Sequence, residues 1–213
     1  MNVLVVDDHP MTVSGYIESL SSLFLTQPVN FLKAYHCEGA FHKFKDCAAL
    51  DLAILDYGLP SYEFEQLYSG IDVARRLRLE HPNCKIIVIT AHTEILLVYD
   101  ILRASNPDGL LLKNEITSEN LPLIVREILQ GNYYQSPGVR KIVKEIWKKD
   151  LMVDDLNRQI LIYLAKGYRI KKIEQALSLS MSAVQRRIAQ MKLAFDVKED
   201  TGLVEEAILQ NFL

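Results

Sequence analysis

The chain has 213 residues, 49% hydrophobic and 24% charged, with a formal net charge of −3. That balance fits a water-soluble globular protein of one large domain or two small ones, and no window approaches the ~18 unbroken apolar residues of a membrane span. The start, Met1-Asn2-Val3-Leu4-Val5-Val6-Asp7-Asp8, lacks the basic region and cleavage site of a secretory signal, and three scattered cysteines (Cys37, Cys47, Cys84) offer neither a disulfide framework nor a zinc spacing. The expected setting is a reducing cytoplasm.

Along the first ~130 residues, short β-rich runs alternate with helix-period stretches. Strands are predicted over Asn2–Val6, Val29–Tyr35, Leu52–Asp56, Lys85–Thr90 and Gly109–Lys113. Helices are predicted between and after them, over Pro10–Phe24, Glu38–Asp46, Ile71–Glu80, Glu94–Arg103 and Glu119–Gln130. Three of the strands are nearly all apolar, as parallel strands covered on both faces are. Five β-α repeats of this length predict a doubly wound, five-stranded parallel sheet.

Gly131-Asn132-Tyr133-Tyr134-Gln135-Ser136-Pro137-Gly138 breaks the periodicity and is taken as the end of a first domain. Val139–Lys149 predicts a basic connecting helix. Helices are then expected over Asp155–Lys166, Ile170–Leu177, Met181–Phe195 and Leu203–Asn211. The domain reading is 1–131, a linker over 132–152, and an all-α domain over 153–213. Charge divides the same way. Gly138–Val197 holds thirteen Lys/Arg against six acids, a net of +7, which leaves −10 for the remainder. A basic unit joined to an acidic one predicts different partners, the basic one being suited to phosphate backbones.

In an open α/β sheet, ligands bind beyond the carboxyl ends of the strands. Asp7 and Asp8 follow the first strand, Asp56 ends the third, Thr90 the fourth and Lys113 the fifth. Three carboxylates this close need a hard cation, and Mg²⁺ accepts oxygen ligands while keeping waters for an incoming phosphate. A carboxylate beside it can attack phosphorus, with the lysine and hydroxyl neutralising the transferring oxygens. His9, beside Pro10, is read as packing or capping and is left out of the site.

Val5-Val6-Asp7-Asp8-His9-Pro10, Ile54-Leu55-Asp56-Tyr57-Gly58-Leu59-Pro60, Ile89-Thr90-Ala91 and Leu112-Lys113 resemble the response-regulator receiver family, over roughly Met1–Gly131. The resemblance implies a flavodoxin-like fold, Asp56 as phosphoacceptor, and Mg²⁺ held by Asp8, Asp56 and the Gly58 carbonyl, with Asp7 acting through water. It implies Thr90 and Lys113 on the phosphoryl oxygens and a histidine kinase as donor. Three departures stand out. The loop Ser61-Tyr62-Glu63-Phe64-Glu65-Gln66-Leu67-Tyr68-Ser69 is long, and its aromatics are expected to cover the site or meet a partner. Leu110 stands where most receivers carry a switching aromatic, and Asn114 replaces a common proline.

In the basic unit, Ile170, Ile173 and Leu177 share one helix face, and Val184, Ile188 and Met191 share a face of the next. Ser180 is a candidate N-cap for the second helix. Two short amphipathic helices joined by about three residues predict a helix-turn-helix, with Ser182, Gln185, Arg186, Ala189 and Lys192 turned outward. The stretch resembles the LuxR-type domain of NarL/FixJ response regulators over about Asp154–Phe212, which implies double-stranded DNA as partner. Gln185, Arg186 and Ala189 then face bases, while Lys171, Lys172, Arg187 and Lys192 suit phosphates. Arg187 replaces a usual histidine, Ala183 a usual threonine, and Val153–Gln159 keeps little of the usual opening. Leu203, Val204, Ala207, Ile208 and Phe212 are candidates for a dimer surface or for core, and a homodimer is expected on phosphorylation.

Two rivals belong to other classes. A phosphatase of the haloacid-dehalogenase type needs a second Asp two positions after its nucleophile, and Gly58 stands there. The chain is therefore expected not to be an enzyme beyond its own phosphorylation and dephosphorylation. The other rival is a regulator acting through protein contacts, its helix-turn-helix having lost DNA.

Overall fold

The computed structural model describes the chain except for Ser22, residues 25–27 and Asn211, and except for the side chains of Ile95, Leu96, Lys149 and Val153. It divides into two compact units, Met1–Arg140 and Lys141–Leu213.

In the first unit, β1 (Asn2–Val6), β2 (Asn30–Ala34), β3 (Leu52–Asp56), β4 (Lys85–Thr90), β5 (Gly109–Leu112) and β6 (Tyr134–Gln135) form one sheet in the order β2-β1-β3-β4-β5-β6. Every pairing is parallel. Between the strands run α1 (Pro10–Ser21), α2 (Cys37–Lys45), α3 (Gly70–Glu80), α4 (Ile95–Ser105) and α5 (Asn120–Leu129). β1 has β2 on one side and β3 on the other, so the strand order reverses there, and ligands bind at such reversals. Strand β3 is buried along its whole length, and β4 is buried from Ile86 onward, which is why both are apolar runs without alternation. One core gathers Val3, Val5, Ile54, Ile87, Ile89 and Leu111 from the strands with Val13, Leu20, Leu121, Val125 and Ile128 from α1 and α5.

The expectation of five strands is corrected by one. β6 adds to β5 through Tyr134 N donating to Asp108 O at 3.0 Å and Ser136 N to Leu110 O at 3.1 Å. Two residues are too few for a periodic pattern, and main-chain bonds rather than side-chain alternation hold them. The stretch 132–152, read from sequence as a linker, thus gives its first residues to the sheet. The first helix stops at Ser21, short of the expected Phe24; Ser22, within that expectation, lies outside the described residues.

The second unit is helical. It contains most of α6 (Pro137–Val153), then α7 (Asp155–Ala165), α8 (Ile170–Leu177), α9 (Met181–Phe195) and α10 (Asp200–Leu209). Its core joins Met152, Ile160, Leu161, Ile173, Val184, Ile188, Met191, Phe195, Leu203 and Ala207. Ser178 takes a left-handed conformation at φ 52° to end α8, and Ser180 caps α9 by accepting from Ala183 N at 3.2 Å. The last helix begins three residues before the expected Leu203, and the expected end, Asn211, lies outside the described residues. Leu203 and Ala207 belong to the core, whereas Ile208 and Leu209 are exposed. Among the described residues no helix is long and apolar enough to cross a membrane.

Candidate functional site

The ends of β1, β3, β4 and β5 bring the predicted acidic group together. Asp7 is fully buried and Asp56 is 7% exposed. The Lys113 ammonium lies between them, 2.7 Å from Asp7 Oδ2 and 3.1 Å from Asp56 Oδ1. Asp56 Oδ2 accepts from Gly58 N at 2.8 Å, and a Cβ at Gly58 would sit 3.2 Å from that oxygen. Thr90 is buried, and its Oγ1 accepts from His92 N at 3.0 Å. Parallel pairing sets Asp56 beside Ile89 and Thr90 beside Leu112, so the polar residues end their strands at one level.

Burial pushes the Asp56 carboxyl above the usual carboxylate range; Lys113 and the Gly58 amide oppose that, and the Asp7 charge adds to it. Burial also disfavours the Lys113 ammonium, but its ties to Asp7 and Asp56 outweigh the loss and hold its pKa above that of free lysine. The Tyr16 phenol is raised as well, first by burial and then by the charges of Asp7 and Asp56.

Asp8 is exposed and faces outward beside Asp7. His9, set aside from sequence, is part of this cluster. Its Nδ1 lies 2.7 Å from Asp8 Oδ1 and 3.3 Å from Asp7 Oδ1, and its amide donates to Asp7 Oδ1 at 3.0 Å. Adjacency to two acids was the signal that could have found it. Ligand atoms of Asp7, Asp8 and His9 lie within 4.8 Å of one another, and Asp56 joins them through Lys113. Asp7 Oδ2 meets the ammonium as an ion pair, yet among the described residues no aligned hydrogen bond satisfies it. A buried carboxylate oxygen with spare capacity, beside a second carboxylate, fits a hard divalent cation.

The long loop is an ordered structure of its own. Tyr62 and Leu67 form an antiparallel bridge around a 3₁₀ turn, Glu63–Glu65, and Gln66 adopts φ 55°. Leu67 is its buried anchor, Tyr62 packs on Phe41 and His42 of α2, and Glu65 pairs with Arg76 at 3.2 Å. Phe64 and Tyr68 stay exposed. The loop returns at Gly70, where an added Cβ would lie 1.9 Å from the carbonyl oxygen of Asp56. Ser69 and Asp72 close a capping box there and start α3. Leu110 is fully buried in β5.

Residues 3–125 match the response regulator receiver domain. The chain belongs to the response regulator receiver family. The chain is 26% identical over 227 residues to the oxygen regulatory protein NreC of Staphylococcus haemolyticus, covering 100% of this chain and 99% of that one. It is 28% identical over 216 residues to the transcriptional activator protein ExaE of Pseudomonas putida, covering 98% and 96%. In fold it is similar to the RcsB response regulator of Salmonella typhimurium, studied for conformational dynamism in DNA interaction, with a TM-score of 0.59, 20% identity and 98% of each chain covered.

Outside the receiver, the predicted DNA-facing residues separate into two groups. Ser182, Gln185, Arg186 and Ala189 are exposed on α9, and Lys171 and Lys172 are exposed on α8, Lys172 with its ammonium 3.7 Å over the Tyr168 ring. Arg187 and Lys192 instead turn to acids of their own unit. Arg187 Nη1 lies 2.8 Å from Asp154 Oδ2, and Lys192 Nζ lies 2.9 Å from Asp200 Oδ1. All three cysteines are free; burial raises the Cys37 and Cys84 thiols to about 11 and about 12, so neither is a ready nucleophile.

Proposed function

We propose that this receiver accepts a phosphoryl group on Asp56 from a histidine kinase and thereby controls DNA binding by residues 153–213, so regulating transcription in the cytoplasm. The observation that carries the reading is the Lys113 ammonium held between buried Asp7 and Asp56 at 2.7 and 3.1 Å. A cation fixed beside the nucleophilic oxygen stands ready to neutralise charge on a transferring phosphoryl group, and the buried Thr90 hydroxyl at the neighbouring strand end supplies a donor to the same oxygens.

Asp7, Asp8, Asp56 and the Gly58 carbonyl are the residues we assign to Mg²⁺. When bound, that ion supplies charge neutralisation for phosphoryl transfer. Asp56 Oδ1 attacks phosphorus, the bond from phosphorus to the donor breaks, and the donor leaves with that electron pair. Exchanging a carboxylate for a doubly charged phosphoryl group changes the pull on Lys113, which directly follows β5, and on Thr90, which ends β4, so those strand ends are where the switch begins. With buried Leu110 in place of a ring, it operates by aliphatic repacking.

Support for the transcriptional part comes from the Ser180-capped α8–α9 pair, the exposed Gln185 and Arg186, and the names of relatives aligned along nearly the whole chain. Dimerisation on phosphorylation, placing two α9 helices about one DNA turn apart, completes the proposal. The domain assignment is receiver over 1–131, linker over 132–152 and DNA-binding domain over 153–213.

Incubation with acetyl phosphate and Mg²⁺, followed by intact mass and size measurement, tests it. One phosphoryl adduct and a larger species are expected for the wild type, with neither in Asp56→Ala. An adduct that survives in Asp56→Ala removes Asp56 as acceptor.

A further inference from the structure

Three cations lie on α9, and they are not equivalent. Arg186 is exposed, with no partner among the described residues. Arg187, about 100° further round the helix, points the other way, and its side chain is 23% exposed. One nitrogen, Nη1, reaches both Asp154 Oδ2 at 2.8 Å and Asn157 Oδ1 at 2.9 Å. Asp154 is the N-cap of α7; its Oδ1 accepts from the amides of Leu156 at 2.8 Å and Asn157 at 3.2 Å. Asn157 is 2% exposed, and its Nδ2 donates to Leu151 O on α6 at 2.9 Å. The chain of bonds thus runs from α9 through the start of α7 to the end of α6, and each named side chain in it has a partner. The Arg187 hydrogen bond is also the main reason the Asp154 carboxyl lies below the usual range.

We propose that Arg187 is a positioning residue, which locks the tilt of α9 against α7 and α6, and that it leaves direct phosphate binding to Arg186, Lys171 and Lys172. This rests on the DNA-binding reading above and changes what the weakened motif means. Arg187 and the Val153–Gln159 opening are two of the three departures from the LuxR-type pattern, and in three dimensions these two touch. They form one substituted network, not independent decay. Turning the Arg187 side chain out to DNA would take Nη1 away from Asp154 and from the buried Asn157 amide, and leaving such a group unpaired is costly.

The test uses the full chain treated with acetyl phosphate and Mg²⁺, titrated into random-sequence duplex DNA of about 30 base pairs, enough for two half-sites one turn apart. Affinity is measured across a salt series, because removing one cation from a DNA phosphate lowers the slope of log affinity against log salt by about one. Arg187→Lys keeps the charge but loses the planar reach; it is expected to weaken binding about tenfold with the slope unchanged. Arg186→Ala is expected to lower the slope. Arg187→Lys binding like the wild type, or Arg187→Ala lowering the slope by about one while α7 stays capped by hydrogen exchange, overturns the proposal. Unfolding of Asp154→Asn, Arg187→Ala and the double variant supplies a measurement free of DNA. A double variant no worse than either single one supports the lock, and additive effects overturn it whether or not DNA binds. Wild-type protein that binds no duplex, with a non-additive cycle, instead removes the DNA-binding reading, and with it any role for Arg187 in placing α9 on DNA.

Discussion

In the receiver unit, three charged side chains leave separate strand ends for one buried spot, where Lys113 sits between Asp7 and Asp56. On α9, three cations leave a single helix in different directions, and Arg187 and Lys192 are taken up by acids of their own unit. The contrast shows how far residue type alone reports function. A strand end in an open parallel sheet has one place to point its polar residue, whereas a helix offers a new direction every 100°. Charge in the receiver pocket is thus concentrated by the architecture; charge on α9 is divided between a surface and an internal lock.

That contrast can be broken most forcefully at the backbone beneath the pocket. Gly70→Ala would drive a Cβ into the Asp56 carbonyl, and a loss of about 3 kcal/mol is expected in urea unfolding, with slower phosphorylation. A variant as stable as the wild type would show that the loop return does not set the Asp56 strand end. Next, Lys113→Met leaves two buried carboxylates facing each other. We expect a loss of about 2 kcal/mol near neutral pH. Without the lysine the Asp56 carboxyl, already raised by burial, loses the partner that opposes that rise, so the folded form takes up a proton more readily than the unfolded one and the variant should regain stability as pH falls. A pH-independent deficit would mean that packing, not charge, explains it.

In the second unit, Asp154→Ala removes an N-cap and the main partner of Arg187, and thermal unfolding should report a loss of about 1.5 kcal/mol. Asp108 sharpens the comparison by showing an ion group with no proposed role in phosphorylation. Burial works against its carboxylate, yet Arg78, the Ile86 amide and Lys85 together hold its pKa below the usual value. Its contribution is therefore present above the unfolded pKa of about 3.9 and is lost as pH falls through the lower folded value. Asp108→Asn should cost about 1 kcal/mol at neutral pH and flatten the acid limb of the stability curve, while the phosphorylation rate stays unchanged. Smallest of all, Phe64→Ala, at a ring 84% exposed, should change stability by less than about 0.5 kcal/mol. A larger loss by calorimetry would mean that the loop depends on that ring.

The sequence alone was enough to place β1, β3 and β4 to the residue and α8 and α9 at both ends, because apolar runs and helical periods are local signals that packing reinforced. It also named Asp7, Asp56, Thr90 and Lys113 as one group, since parallel strands force their carboxyl ends to a common edge. It left out His9, whose ring folds back onto Asp7 and Asp8, and β6, which only main-chain pairing defines. Most of all, it could not tell Arg186 from Arg187. Neighbouring arginines read alike in one dimension; which of them meets Asp154, thirty-three residues earlier, depends on how α9 packs across α7, and long-range packing alone sets that.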